Sequence, residues 1–180
     1  MSIRSRHSAW LSAAVCACAL SLPAAAAAQA PAPKPPPGKA KIVNGRAVAP
    51  PDAPPAVVKV IEAANRIARK PYRYGGGHAK FEDSGYDCSG AASYALHGGG
   101  FLASPMPSGS FMSWGKKGVG RWITVYANSG HMFMVVAGLR FDTGYRDRNA
   151  KRDGSAPGSG PRWGYARPTS GFVARYPAPR

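Results

Sequence analysis

Cys88 is the residue whose type and surroundings most clearly indicate chemistry. It lies in the run Asp87-Cys88-Ser89-Gly90, after three glycines at 75–77 and before an alanine-rich stretch that is typical of a helix. Aspartate is a favoured N-cap residue, so the sequence predicts a helix that begins at Cys88. Unpaired N–H groups and the helix dipole stabilise an anion in the first turn, and the thiolate is the nucleophilic form of cysteine. The pattern therefore predicts a cysteine nucleophile.

The cysteine count also singles out Cys88. Residues 1–28 have a basic start, a short apolar run and small residues at 26–28, which predicts a cleaved signal peptide and no membrane anchor. Cys16 and Cys18 lie in that segment, so Cys88 has no partner in the predicted mature chain. An unpaired cysteine in an exported protein indicates a reactive thiol or an intermolecular bond. The alternative is a small buried apolar side chain.

A thiolate nucleophile needs a base and a group that orients that base. The predicted mature chain has three histidines: His78 in a glycine-rich loop, His97 and His131. His97 would lie about 13 Å from the cysteine, at the far end of the same helix. His131 begins an apolar strand that would pack on this helix, and Asp142 lies in the next strand. These residues could be base and orienting carboxylate, or a histidine at the edge of the core and an aspartate paired with an arginine.

The remaining sequence predicts one folded α+β domain. Proline, alanine and lysine dominate residues 29–55, which predicts an extended linker, and the domain would occupy 56–180. Helical periodicity and apolar runs predict helices first and an antiparallel sheet after them. The predicted helices are 57–70, 88–97 and a short one at 110–114, and the predicted strands are 121–126, 131–137, 140–143 and 171–176.

The chain is strongly basic, with 24 Lys and Arg against 8 Asp and Glu and a formal net charge of +16. Such a charge attracts anionic partners over long range, although it can also serve only as a solubilising surface. Predicted export to the periplasm or the outside of the cell favours anionic envelope polymers over nucleic acid. No Cys/His cluster has metal-ligand spacing, so we expect no metal and no cofactor. A monomer is expected.

Three stretches resemble the NlpC family of bacterial cell-wall cysteine peptidases: Pro71-Tyr72-Arg73-Tyr74-Gly75-Gly76, Gly85-Tyr86-Asp87-Cys88-Ser89-Gly90 and Ser129-Gly130-His131. The resemblance implies a papain-like α+β fold in which the nucleophile begins a helix packed on a small antiparallel sheet. It implies Cys88 as nucleophile and His131 as general base. Asp142 would be the third catalytic residue, with its neighbour Thr143 as the alternative.

The resemblance also implies substrate-binding roles. Asp87 and Ser89 match positions that help to bind the free amino end of the stem peptide, and Tyr72 matches a tyrosine near the nucleophile. The chain departs from the family pattern at Tyr74, where tryptophan is usual, and in the basic loop 146–167.

The implied function is hydrolysis of peptidoglycan stem peptides or muropeptides, at the bond between γ-D-glutamate and the diamino acid. Three alternatives stay open at this point. The same catalytic residues could serve an amidase that cleaves between muramic acid and the first alanine, or an acyltransferase. A non-catalytic, basic wall-binding protein is the third.

Overall fold

The computed structural model describes residues 37–144 and 160–178. The predicted signal peptide and most of the basic loop at 146–167 lie outside these residues. No helix in the described part of the chain is both long and apolar enough to cross a membrane. The helices are α1 (Pro55–Ile67), α2 (Cys88–Gly98) and α3 (Ser108–Phe111), and the strands are β1 (Lys41–Val43), β2 (Arg46–Val48), β3 (Lys116–Lys117), β4 (Ile123–Ala127), β5 (Met132–Val136), β6 (Leu139–Asp142), β7 (Arg162–Gly164) and β8 (Val173–Tyr176).

The main sheet has six strands in the order β3-β8-β4-β5-β6-β7, and every neighbouring pair is antiparallel. Helix α2 packs against α1 and against β5 and β6 at the centre of the sheet. The side chains between these layers are mostly aliphatic and aromatic, and Leu96, Phe111 and Met134 among them are fully buried. This arrangement confirms the predicted α+β fold, with the helix that begins at Cys88 packed on an antiparallel sheet.

Helix α1 follows from its apolar periodicity and its first residues. Pro55 stands at the start, where a missing N–H costs no hydrogen bond. The buried face consists of Val57, Val60, Ile61, Ala63, Ala64 and Ile67. The helix begins two residues before the predicted bound and ends three residues before it.

The predicted linker at 29–55 is wrong from residue 37 onwards, because β1 and β2 form a hairpin there. Its turn is Asn44-Gly45 with positive φ at both residues, the conformation that Asn-Gly favours between two strands. The side chain of Asn65 on α1 holds the hairpin: it accepts from Ala47 N at 2.9 Å and donates to Ala47 O at 2.8 Å. The segment has too few apolar residues to be held by a core. It is held instead by hydrogen bonds between its two strands and by the amide side chain of Asn65.

Strand β7 is a second difference, because the composition of 144–168 predicted only loop. Its Trp163 is fully buried and donates from Nε1 to Asn65 Oδ1 at 2.9 Å. Asn65 on α1 therefore contacts both the hairpin and β7, the edge strand of the main sheet. The turn between β5 and β6 is Ala137-Gly138, one residue before the gap at 138–139 between the two predicted strands.

The loop before α2 packs backbone against backbone on the first turn of that helix. Asp87 N donates to Gly76 O at 3.3 Å, and Tyr72 and Tyr86 form an isolated parallel bridge. A Cβ atom at Gly90 would lie 1.9 Å from Gly76 O. No side chain fits at Gly90 without separating the loop from the helix.

We expect Gly90→Ala to destabilise the fold by about 1–3 kcal/mol, the usual cost of forcing atoms into a packed site. Gly109→Ala in α3 is the matched control, because a Cβ there would meet no atom within 4 Å, and it should change stability by less than about 0.5 kcal/mol. The measurement is urea unfolding of the two variants and the wild type. Equal stabilities for Gly90→Ala and wild type would contradict the close packing.

Candidate active site

The start of α2 is fixed by the side chain of Asp87, as the sequence predicts. Asp87 is the N-cap residue, and its Oδ1 accepts from Gly90 N at 2.8 Å. Its Oδ2 accepts from Gly75 N at 3.0 Å, which attaches the glycine loop to the helix. Cys88 follows as the first helical residue, is partly exposed and has a free thiol. The thiol therefore lies at the end of α2 that favours an anion.

His131 is presented to this helix end by a tight turn before β5. The Oδ1 of Asn128 accepts from His131 N at 2.8 Å and from Gly130 N at 3.0 Å. Beyond the histidine, Met132 and Met134 are fully buried on β5, which packs against α2. The imidazole is hydrogen-bonded to Asp142, and it lies close enough to Cys88 for the two side chains to interact electrostatically. The structure thus brings together three side chains that the sequence places far apart.

Asp142 has a partner at each of its carboxylate oxygens. Its Oδ1 lies 2.9 Å from His131 Nε2 and accepts from Gly144 N at 2.9 Å. Its Oδ2 accepts from Arg140 Nε at 2.8 Å and from Arg140 Nη2 at 2.6 Å. The side chain of Asp142 is fully buried. The two interpretations of Asp142, as partner of the histidine and as partner of an arginine, therefore both hold at once.

Aromatic rings hold the other sides of Arg140 and His131. The Arg140 guanidinium lies over the ring of Phe133, 3.4 Å from its centroid. Phe133 packs against Phe172 at 5.0 Å, and Phe172 meets the edge of His131 at 6.3 Å. Together with Asp142, these residues form a closed ring of contacts. The orientation of the imidazole is therefore set by packing as well as by hydrogen bonds.

The charges of this group follow from its contacts. The hydrogen bond with Asp142, and then that with Cys88, raise the pKa of His131 to about 9, although partial burial opposes the rise. Burial works to raise the pKa of Asp142, but the His131 hydrogen bond and the Arg140 charge outweigh it and leave that pKa below its usual value. At neutral pH the site therefore holds an imidazolium between a carboxylate and the thiol of Cys88.

Tyr72 lies close enough to Cys88 and Asp87 for their charges to act on its phenol, near the place that the family resemblance implied. Burial raises the pKa of its phenol, and the negative charges of Cys88 and Asp87 add to this effect. Its side chain stays 44% exposed, so a bound molecule could touch it. Ser89 is buried, and its hydroxyl donates to Asp87 Oδ1 at 3.2 Å.

His78 belongs to the same cluster, which the sequence did not predict. Its Nε2 lies 3.0 Å from Asp87 Oδ1 and 3.0 Å from Ser89 Oγ. The signal was present in the three glycines at 75–77, since two of them adopt positive φ and turn the loop back onto α2.

In residues 37–144 and 160–178, no three side chains of His, Cys, Asp or Glu are arranged to hold a metal ion.

No protein-family model matches the chain, and no curated protein matches it. Three solved structures from Mycobacterium tuberculosis are similar. A hypothetical invasion protein has 22% identity and a TM-score of 0.47 over 69% of this chain and 63% of its own. The peptidoglycan hydrolase RipB has 22% identity and a TM-score of 0.48 over 67% of this chain and 64% of its own. RipD, described as a non-catalytic NlpC/p60 domain protein adapted to peptidoglycan binding, has 19% identity and a TM-score of 0.48 over 69% of this chain and 98% of its own.

The chain thus spans less than two thirds of the length of the first two of these proteins. At these sequence identities and TM-scores, the function has to be inferred from the side chains of the site.

We expect NMR titration of the His131 ring to give a pKa of about 9. Because this lies above the usual 6.5, the charged ring stabilises the fold fully below pH 6.5, and the contribution is lost as the pH rises through about 9. Asp142→Asn should lower the pKa of His131 most and Cys88→Ala should lower it less, in the order of their contributions. His97→Ala, at the far end of α2, should leave it unchanged. A pKa of His131 that neither site variant lowers would contradict this electrostatic account.

Proposed function

We propose that this chain is an NlpC-type cysteine peptidase that hydrolyses stem-peptide bonds of peptidoglycan, with Cys88 as nucleophile and His131 as general base. The observation that carries the proposal is the imidazole of His131, which is hydrogen-bonded to the buried Asp142 and interacts with the side chain of Cys88. A nucleophile, a base and a group that orients the base are the three parts that covalent acyl transfer requires.

The reaction begins when the Cys88 thiolate attacks the peptide carbonyl carbon and forms a tetrahedral oxyanion. The N–H groups of Cys88 and Ser89 at the start of α2 can donate to that oxygen, since the next one, Gly90 N, already donates to Asp87 Oδ1. The C–N bond then breaks, and the His131 imidazolium gives its proton to the leaving amine. The neutral imidazole next takes a proton from water as the water oxygen attacks the thioester, and collapse of the tetrahedral intermediate breaks the C–S bond, which releases the carboxylic acid and restores the Cys88 thiolate and the His131 imidazolium.

Asp142 supports this cycle by holding one tautomer and one orientation of the ring. Because Nε2 of His131 is bound by Asp142, the proton exchanged with Cys88 and with the leaving amine is carried by Nδ1. Arg140 keeps Asp142 ionised inside the protein, where a lone carboxylate would be neutral. Asp142, and not Thr143, is therefore our choice for the third catalytic residue.

The substrate class rests on the residues around the nucleophile. Tyr72, Asp87 and Ser89 surround Cys88 and are our candidates for binding the stem peptide, with cleavage after γ-D-glutamate as the bond we propose. The basic composition suits a polyanionic wall, and the predicted signal peptide would deliver the protein to it in the periplasm or outside the cell.

We expect Cys88→Ala to lower the rate of muropeptide hydrolysis by about 10³-fold or more, because no other group in the site can form the thioester. Purified wild type and variant are incubated with defined muropeptides, and the products are identified by mass spectrometry. The unfolding temperatures of the two proteins should agree, which shows that the loss is chemical. Unimpaired turnover by Cys88→Ala would rule out the assignment.

The same experiment separates the alternatives. Products cut between muramic acid and alanine indicate an amidase, and new amides formed with added amines indicate an acyltransferase. Binding of wall fragments by both proteins without turnover by wild type indicates a wall-binding protein.

We also expect kcat/KM to fall as the pH rises through about 9, because His131 then loses the proton that the leaving amine needs. In Asp142→Asn this alkaline limb should move to lower pH, since the contact that contributes most to the raised pKa of His131 is weakened. Fluorescence of the tryptophans at each pH serves as the control for unfolding. An alkaline limb at the same pH in both proteins would show that His131 is not the group that titrates.

A further inference from the structure

His78 forms a polar cluster with Asp87 and Ser89 next to the nucleophile. One ring nitrogen, Nε2, lies within 3.0 Å of both Asp87 Oδ1 and Ser89 Oγ. The side chain of Asp87 is 8% exposed and Ser89 is buried, whereas the side chain of His78 is 31% exposed. A molecule that approaches this cluster from solvent therefore meets the imidazole first.

The carboxylate of Asp87 has little capacity left for a ligand. Its Oδ1 already accepts from Gly90 N and from the Ser89 hydroxyl, in addition to the His78 contact. Its Oδ2 accepts from Gly75 N. A carboxylate has about four acceptor positions in total, and these contacts fill most of them. A substrate ammonium group could bridge Asp87 Oδ1 and Ser89 Oγ only by displacing His78, because Nε2 of His78 occupies that position.

The ring chemistry of His78 differs from that of the carboxylate it covers. An ionised Asp87 can only accept, so Nε2 of His78 carries the hydrogen of that contact. In the neutral ring, Nδ1 is then an acceptor. A neutral nitrogen acceptor suits an amide N–H as well as an amine, whereas a buried carboxylate would favour a full positive charge.

We propose that His78 is a specificity-determining residue that closes the Asp87–Ser89 pair to a free ammonium group. The chain then accepts stem peptides whose first nitrogen is acylated, as in strands still joined to glycan, about as well as peptides with a free amino end. This inference rests on the stem-peptide substrate proposed above. It is independent of whether the bound peptide is cleaved.

The test uses Cys88→Ala protein, so that binding is measured without turnover. The probes are the tripeptide L-alanyl-γ-D-glutamyl-diaminopimelate and its N-acetyl derivative, and calorimetry gives Kd for each. In Cys88→Ala the two Kd values should agree within about threefold. Adding His78→Ser should favour the free-amine peptide by about tenfold or more, because a charge-assisted hydrogen bond to Asp87 becomes available.

Two further variants in the same background complete the design. His78→Gln keeps an N–H group that can donate to Asp87, so its ratio of Kd values should stay close to that of the parent. His97→Ala changes a histidine at the other end of α2 and should also leave the ratio unchanged. Thermal unfolding of each protein checks that the first turn of α2 is intact.

A tenfold or larger preference for the free amine in the parent, or an unchanged ratio in His78→Ser, would overturn the role of His78. Failure of both peptides to bind would overturn this role and the proposed substrate together. Wild-type turnover is measured separately: binding that follows the expected ratios without any hydrolysis would refute the peptidase activity and support the His78 assignment.

Discussion

The carboxylate of Asp87 joins the glycine loop to the first turn of α2, and the position of Cys88 depends on it. It accepts from backbone N–H groups on both sides, Gly75 in the loop and Gly90 in the helix. The backbones come so close that Gly90 has no room for a Cβ atom. The thiol of Cys88 is therefore held by a rigid junction of two segments.

The opposite half of the site depends on a buried pair of charges. Removing a carboxylate and a guanidinium from water is costly, and such a pair is weak evidence for stability alone. Arg140 and Asp142 are nevertheless both buried on β6, where the arginine also lies on the ring of Phe133. The pair makes chemical sense through His131, because an ionised Asp142 keeps that imidazole charged. The buried Arg140–Asp142 pair is therefore explained by its effect on the charge of His131, and not by the packing of the sheet.

The sequence predicted those elements whose formation depends on neighbouring residues, such as a helix cap or an apolar run. The N-cap at Asp87 and the apolar runs predicted α2, β4, β5 and β6 to within a few residues. The predicted linker, in contrast, overlooked a hairpin held by the amide of Asn65, and the predicted loop overlooked a strand anchored by Trp163. These contacts join residues remote in sequence. The contacts of His78 with Asp87 and Ser89 were not predicted for a different reason: they are close in sequence but depend on how the glycine loop folds back onto α2.

The two halves of the site come from different layers of the fold, Cys88 from the helices and His131 from the sheet. Neither layer contains both groups, and the chain between them includes α3 and β4. The thiol and the imidazole therefore come together only where α2 docks on β5. The pairing of thiol and imidazole is thus a property of the tertiary structure, which neither segment of the chain possesses alone.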